Sequence, residues 1–203
     1  MPSYRTIAQA VSTEIEPIKK SRFIADASPI QSQAQAHDFI ASVRKRHPDA
    51  GHHCYAWRLQ AGDAGWRVSD DGEPGGTAGM PILARIDGHD LCCLVVVVAR
   101  WFGGTKLGKG GLIRAYGGAA AAALAAAEII EVRQTIAVTI SIDYPDHGVV
   151  EGIMRSMEIT QVHAEYGSGI TIQAHVPVEE LDLLGGRLRD ATSGRATVAE
   201  SDR

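Results

Sequence analysis

The sequence of 203 residues has few cysteines, no long apolar run and no apolar stretch near residue 1, so we expect no disulfide framework, no membrane span and no export signal. Its cysteines, Cys54, Cys92 and Cys93, are odd in number and two are adjacent, so reduced, buried thiols are expected rather than a disulfide framework. The longest weakly polar stretch, residues 115–127, is alanine-rich and well short of the about 20 apolar residues that cross a bilayer. Residues 1–17 contain no apolar run that could form the centre of a signal peptide. The sequence therefore predicts a cytoplasmic protein with no membrane contact.

Acidic residues are in excess overall, but the excess is confined to one part of the chain. The net charge is −4, which argues against a surface coated throughout with nucleic acid. Residues 1–130 carry 14 Lys and Arg against 12 Asp and Glu, whereas residues 131–203 carry 6 against 12. The composition, 45% hydrophobic and 22% charged, is globular, and the length allows two small domains. We predict an N-terminal domain of residues 1–133 and a C-terminal domain of residues 134–203.

The spacing of apolar residues in the C-terminal segment switches several times between that of a strand and that of a helix. Apolar residues alternate as in strands, or recur at helical spacing, in the order strand 135–143, helix 149–157, strand 159–166, strand 170–176, helix 181–188 and strand 196–199. This βαββαβ order predicts a ferredoxin-like domain, and the fold class is α+β with two domains. The polar residues Asp143, Asp146, His147 and Glu151 are interpreted as complements to the helix dipole, with a metal site as the alternative.

Strands and helices also alternate in the N-terminal domain. Strands are predicted at 6–18, 22–30, 52–59, 66–69 and 91–98, a hairpin turn at 62–65, and helices at 32–47, 80–86 and 112–128. The segment 91–98, LCCLVVVV, is apolar almost throughout, so it is expected to be a central strand buried on both faces. Thr77 is the candidate N-cap of the helix at 80–86.

A basic, glycine-rich loop follows this apolar strand. No acidic residue occurs between Leu91 and Ala127. The candidate site residues for an anion or nucleic acid are Arg100, Trp101, Gly103, Gly104, Lys106, Gly108, Lys109, Gly110, Gly111 and Arg114. A strand, a glycine-rich loop and a helix N-terminus with four uncompensated cations predict an anion site. The match to a nucleotide-binding P-loop fails at Gly110, which stands where Ser or Thr would hold magnesium.

An acidic loop at residues 69–79 is a possible second part of this site. Its candidate residues are Asp70, Asp71, Glu73 and Thr77. Acids in a Gly-Pro loop usually form turns or lie in solvent, but an acid–base cluster is an alternative. The residues His47, His52, His53 and Cys54 allow zinc ligation or a Cys–His nucleophile as further alternatives, although no paired metal motif accompanies them. We predict no metal and no cofactor.

Several motifs give the chain a resemblance to a known family. They are Lys19-Lys20-Ser21-Arg22-Phe23-Ile24, His47-Pro48-Asp49-Ala50, His52-His53-Cys54, Asp70-Asp71-Gly72-Glu73-Pro74, Gly76-Thr77-Ala78-Gly79, Arg100-Trp101-Phe102-Gly103-Gly104, Leu107-Gly108-x-Gly110-Gly111-Leu112 and Ala115-Tyr116-Gly117. In these the chain resembles the IMPACT family, in particular its bacterial YigZ branch. The resemblance covers nearly all of residues 3–200 and is most specific in the first domain.

The resemblance implies a fold and a role in translation. It implies an N-terminal domain similar to domain IV of elongation factor G and to a ribosomal small-subunit protein, and a C-terminal domain similar to domain V of that factor. We therefore expect a non-enzymatic cytoplasmic protein, a possible translational regulator, that binds RNA or a ribosome-associated partner through the basic loop. Two alternatives remain: a small hydrolase or nucleotide-using enzyme with its site between loops 70–79 and 103–111, and an adaptor that binds protein partners.

Overall fold

The computed structural model describes residues 3–59 and 65–201. These residues fall into two compact units, one spanning residues 4–132 and the other formed by residue 3 with residues 133–201. The first unit contains the elements β1 (Ser3–Ile7), β2 (Val11–Ile18), β3 (Ser21–Pro29), α1 (Gln33–Arg46), β4 (His52–Arg58), β5 (Trp66–Ser69), α2 (Gly79–Gly88), β6 (Leu94–Trp101), α3 (Lys109–Ala126) and β7 (Ile129–Arg133). Strands β1 and β7 pair in a small sheet of their own.

A five-stranded antiparallel sheet is the scaffold of the first unit. Its strand order is β2-β3-β6-β4-β5, with the apolar strand β6 in the centre as the sequence predicts. Leu94, Val96 and Val98 enter the core that the sheet forms with α2 and α3. Val95 and Val97 point to the opposite face and pack with α1. The alternation of side chains along one strand thus explains why every residue from Leu94 to Arg100 is buried.

Helices α1 and α3 meet the sheet in different ways. The side chains of Ala36, Ile40 and Val43 form the buried stripe of α1, and the hydroxyl of Ser32 caps this helix by accepting a hydrogen bond from Gln35 N at 3.2 Å. Helix α3 buries small side chains instead, so its backbone lies close to the strands. Gly117 continues this close contact towards α2, because a Cβ there would lie 3.3 Å from Arg85 Nε.

The second unit has the βαββαβ order of a ferredoxin-like domain. Its elements are β8 (Thr135–Ile142), α4 (His147–Ser156), β9 (Thr160–Tyr166), β10 (Ile170–Pro177), α5 (Leu181–Thr192) and β11 (Thr197–Glu200). The four strands are antiparallel in the order β11-β8-β10-β9. Val138, Ile140 and Ile142 pack with apolar residues of both helices in a separate core.

The structure differs from the sequence prediction at several elements. Strand β6 begins at Leu94 rather than Leu91, and α3 begins at Lys109 rather than Leu112. The strand predicted at 6–18 is two strands, β1 and β2, and β7 was not predicted. Helix α2 begins at Gly79 and has Ala78 rather than Thr77 at its N-cap position, so that prediction was wrong. The hydroxyl of Thr77 instead donates a hydrogen bond to Pro74 O at 2.6 Å. The turn predicted at 62–65 lies largely outside the described residues. Among the described helices, none combines the length and the hydropathy needed to cross a membrane.

Candidate functional site at one end of the five-stranded sheet

The motifs singled out in the first domain meet at one end of the five-stranded sheet. Strand β3 begins there and β6 ends there, because Arg22 pairs with Trp101. Strand β4 also begins there, since His52 pairs with Arg100. Strand β5 ends there at Ser69, where the acidic loop begins. The β2–β3 turn, the α1–β4 connection, the acidic loop and the basic loop therefore share one end of the sheet.

The acidic loop is organised by the carboxylate of Asp70. This carboxylate accepts hydrogen bonds from the backbone N–H groups of Gly76, Ala78 and Gly79 at 2.8–2.9 Å, and so caps α2 from a distance in sequence. Burial acts to raise the pKa of Asp70, but the three amide donors outweigh it and the pKa is lowered. Gly79 is required at the start of α2 because a Cβ there would lie 2.9 Å from Ser69 N. Asp70 therefore has the capping role that the sequence suggested for Thr77.

We expect Asp70→Ala to lower the free energy of unfolding by about 2 kcal/mol at pH 7, because three amides lose a charged acceptor. The pKa of Asp70 is lowered by folding, so its contribution is complete above its ordinary value of 3.8 and is lost as the pH falls through the lower folded value. Urea unfolding at pH 7, 5 and 3 tests this. The difference between wild type and variant should be constant from pH 7 to 5 and shrink at pH 3. Asp38→Ala, at an exposed acid of α1 without an ion pair to any described residue, is the control.

Glu73 lies at the centre of a buried polar cluster that joins the two loops. Its carboxylate is 5% exposed and accepts hydrogen bonds from Arg100 Nη1 and, at 2.7 Å, from the hydroxyl of Tyr116 in α3. Burial raises the pKa of Tyr116, and the neighbouring Cys54 and Glu73 raise it further, so the phenol stays protonated and donates. His52 Nε2 lies 3.9 Å from the same carboxylate. Glu73 thus holds the acidic loop, β6 and α3 together.

Arg100 differs from the expectation that it is an uncompensated cation of the basic loop. Its side chain is 6% exposed and its charge is balanced by Glu73. A second donor of the guanidinium, Nη2, lies 3.3 Å from the hydroxyl of Ser21. The sequence could not reveal this, because Glu73 lies 27 residues earlier in the chain. Arg100 is therefore a buried, charge-paired residue of the cluster and is not one of the exposed cations.

Cys54 and the nearby histidines bear on the alternative chemistries. Cys54 is fully buried, and its thiol contacts the backbone carbonyl of Asp70 at 3.0 Å. Burial raises the pKa of the Cys54 thiol to about 12, and the charges of nearby carboxylates contribute to the rise. A nucleophilic cysteine instead needs a lowered pKa. His52 Nδ1 donates to Asp71 O at 2.8 Å, and His53 Nε2 donates to His47 O at 2.9 Å. In the described part of the chain, no group of three or more His, Cys, Asp or Glu residues is arranged to hold a metal ion.

Asp71 is also committed to internal contacts. Its carboxylate accepts hydrogen bonds from His53 N at 2.7 Å and from Arg44 Nη2 at 2.8 Å. Its φ of 41° lies in the left-handed region, which Asp tolerates in turns. The three acids Asp70, Asp71 and Glu73 therefore stabilise the loop geometry.

Two adjacent aromatic residues have opposite environments. Trp101 lies between Arg22, whose guanidinium carbon is 4.6 Å from the ring centroid, and His47, whose ring makes an edge contact at 5.4 Å. Phe102 is 58% exposed at the start of the basic loop. The sequence made Trp101 a candidate site residue. Its contacts with Arg22 and His47 partly cover its ring and leave Phe102 as the more accessible ring.

Five exposed cations lie in the basic loop, the first turns of α3 and the β2–β3 turn. They are Lys19, Lys20, Lys106, Lys109 and Arg114, and none of them forms an ion pair or side-chain hydrogen bond with another described residue. Four of the five lysines of the whole chain belong to this set, which we call the cationic face. Lys19 and Lys20 were part of a family motif in the sequence but were not assigned to the site. The signal that could have found them is a pair of adjacent lysines at the turn between two strands.

The glycines of the basic loop place its backbone. Gly103 packs directly on the β2–β3 turn, because a Cβ there would overlap the backbone of Lys20. The N–H of Gly103 also donates to the hydroxyl of Ser21 at 3.1 Å. Gly104 and Gly108 have positive φ values of 85° and 73°. Gly108 precedes the first residue of α3, and Gly110 and Gly111 lie in its first turn, where no acidic residue or capping side chain occurs. The N-terminus of α3 therefore adds a positive end to the cationic face.

The protein has an α+β fold in two compact units, with these motifs gathered at one end of the first sheet. The Impact N-terminal domain matches residues 19–124, and a domain of unknown function, DUF1949, matches residues 140–195. The chain belongs to the IMPACT family.

Individual relatives support this assignment over nearly the whole chain. The IMPACT family member YvyE of Bacillus subtilis is 33% identical over 98% of this chain and 92% of its own length. The family member YigZ of Escherichia coli is 34% identical over 93% of each chain. A crystal structure of a hypothetical protein is 32% identical, covers 100% of this chain and 99% of its own, and has a TM-score of 0.70.

Proposed function

We propose that the protein is a non-enzymatic cytoplasmic RNA-binding protein that acts on the ribosome or on an RNA associated with translation, as a possible translational regulator. The observation that carries the proposal is the cationic face. Its five cations are exposed and unpaired among the described residues, whereas the acids of the adjoining loop are each bonded internally. The surface at this end of the sheet therefore has a positive potential, which attracts phosphate groups.

The proposed site is a revision of the one expected from the sequence. Lys106, Lys109 and Arg114 remain as phosphate contacts, and Lys19 and Lys20 join them. Arg100, Trp101, Gly103, Asp70, Asp71, Glu73 and Thr77 build the loops that present these cations. Gly110 and Gly111 lie in the first turn of α3. The backbone N–H groups at the start of a helix favour an anion.

The proposal also includes the limits of the two domains and the similarity of each to a domain of elongation factor G. We propose domain limits of residues 1–133 and 134–203, a likeness of the first domain to domain IV of elongation factor G, and a likeness of the second to domain V. The βαββαβ order of the second unit supports the last analogy, although this architecture serves many functions. The acidic C-terminal domain would then serve as a second contact or as an orienting module.

We favour binding over hydrolysis because the groups that could act in hydrolysis are bonded within the fold or buried. A hydrolase between loops 70–79 and 103–111 would use a carboxylate, histidine or thiol as base or nucleophile. The carboxylates of Asp70, Asp71 and Glu73 accept hydrogen bonds from within the fold, and Cys54 is fully buried. The adaptor alternative uses the same exposed face for a protein partner, and it becomes the leading hypothesis if RNA binding fails.

The salt dependence of RNA binding tests the proposal. If all five cations contact phosphates of one strand, the slope of log K against log salt should be about −3.5, at about −0.7 for each phosphate. Lys106→Ala should reduce the steepness by less than one unit and weaken binding to all sequences by a similar factor. Arg67→Ala is the control, because Arg67 is an exposed cation on the edge strand β5, which β4 separates from β6 and from the basic loop that follows β6. Failure of the wild-type protein to bind RNA at about 50 mM salt would contradict the proposal.

A further inference from the structure

Phe102 is an exposed aromatic ring that the fold itself does not explain. It follows the last residue of β6, and 58% of its surface is accessible. The preceding Trp101 is held between Arg22 and His47, so the two neighbours have different roles. A phenylalanine in water costs free energy relative to a polar residue, and the loop places this one beside the cationic face.

The ring of Phe102 contacts the guanidinium group of Arg100, which is itself held in place. The guanidinium carbon of Arg100 lies 5.7 Å from its centroid, within the range of a cation–π contact. Arg100 is itself held by Glu73 and Ser21 and is almost fully buried. Little conformational freedom is therefore lost when a flat group stacks on the exposed side of the ring.

The cations of the cationic face are close to Phe102 along the chain or through a neighbouring contact. Lys106, Lys109 and Arg114 follow it within the same loop and the first turns of α3. Lys19 and Lys20 belong to the turn on which the next residue after Phe102, Gly103, packs. An aromatic ring between cations without partners is the arrangement that binds single-stranded nucleic acid, in which bases stack and phosphates pair with cations.

We infer that Phe102 is a stacking platform for an unpaired base and that the cationic face therefore selects single-stranded RNA over duplex RNA. This inference rests on the proposed function and adds to it the class of RNA. Bases in a duplex are already stacked on one another, so the ring has nothing to bind there and only the phosphate contacts remain. The cations supply the salt dependence, and the ring supplies the preference for an open strand.

The experiment measures binding of the full chain to two labelled RNAs, a 12-nucleotide single strand without secondary structure and a 12-base-pair duplex. Phe102→Ala is expected to weaken binding to the single strand by about 5- to 150-fold, the range for one stacked base, with the salt slope unchanged. Phe102→Leu keeps an apolar side chain without a π face and should weaken binding similarly. Phe102→Trp should retain it. Duplex binding should be weaker in the wild type and the same in all variants.

Trp66→Ala is the matched control. Trp66 is another exposed aromatic residue, 51% accessible, and it pairs with Arg58 at the opposite end of the same sheet. This variant should bind both RNAs as the wild type does. Equal single-strand affinity for wild type, Phe102→Ala and Phe102→Leu, with the steep salt slope intact, would overturn the inference and leave the proposed function standing. Duplex binding as tight as single-strand binding in the wild type would also overturn it. Absence of binding to either RNA would overturn both.

Discussion

Replacing Glu73 by alanine is expected to lower the free energy of unfolding of the first domain by about 3–5 kcal/mol. The reason is that the substitution leaves the buried guanidinium of Arg100 without its counter-charge, and an uncompensated buried charge is among the costliest defects in a fold. The hydroxyl of Tyr116 loses its acceptor at the same time. Urea unfolding followed by tryptophan fluorescence measures the effect on this domain, because Trp57, Trp66 and Trp101 all lie in it.

Glu14→Ala provides the matched control for this prediction. Glu14 also forms an ion pair with an arginine, Arg22, at 2.6 Å, but both side chains of that pair are 45% exposed. Exposed pairs contribute between 0 and about 1 kcal/mol, so the control should unfold almost as the wild type does. If the two variants lost similar and small amounts of stability, the buried cluster would not be what holds the two loops together.

Gly103→Ala is expected to destabilise the first domain by about 3 kcal/mol or more. The added methyl group would overlap the backbone of Lys20, and a backbone cannot move aside as a flexible side chain can. Separation of the β2–β3 turn from the basic loop would also break the hydrogen bond from Gly103 N to the Ser21 hydroxyl. The same fluorescence-detected urea unfolding measures the loss.

Gly118→Ala distinguishes this close contact from the general effect of replacing a glycine. Gly118 lies within α3, where a Cβ would meet no atom within 4 Å. Alanine is the better helix former by about 1 kcal/mol, so this variant should be slightly more stable than the wild type. If Gly103→Ala were as stable as the wild type, the turn and the loop would not pack as described.

Local patterns in the sequence were sufficient to predict most elements of the fold. The helical spacing of apolar residues predicted a helix at 32–47, against an observed range of Gln33–Arg46. The apolar run after Leu91 predicted the central strand, although the strand itself begins at Leu94. Strand β7 was missed because it has only five residues and directly follows a long helix, so its alternation is too short to be distinctive.

The candidate site could be located from the sequence, but the roles within it could not be assigned. Arg100 was grouped with the other cations because no acid is near it in sequence. Its partner Glu73 lies 27 residues away from it in the chain. Tyr116, which also bonds to Glu73, lies 43 residues away from Glu73. Burial of a charge depends on such distant partners, and local composition carries no information about them. For the same reason the sequence could not decide between Trp101 and Phe102 as the exposed ring.

Lysine footprinting tests the central claim most directly. The full chain is treated with an amine-reactive acetylating reagent, with and without saturating single-stranded RNA, and the modification of each lysine is measured by mass spectrometry. The chain has only five lysines, so every one can be followed. We predict that RNA lowers the reactivity of Lys19, Lys20, Lys106 and Lys109 more than that of Lys45, because Lys45 belongs to α1, on the face of the sheet opposite α3. RNA binding that leaves Lys106 and Lys109 as reactive as before would contradict the assignment of the cationic face as the RNA site.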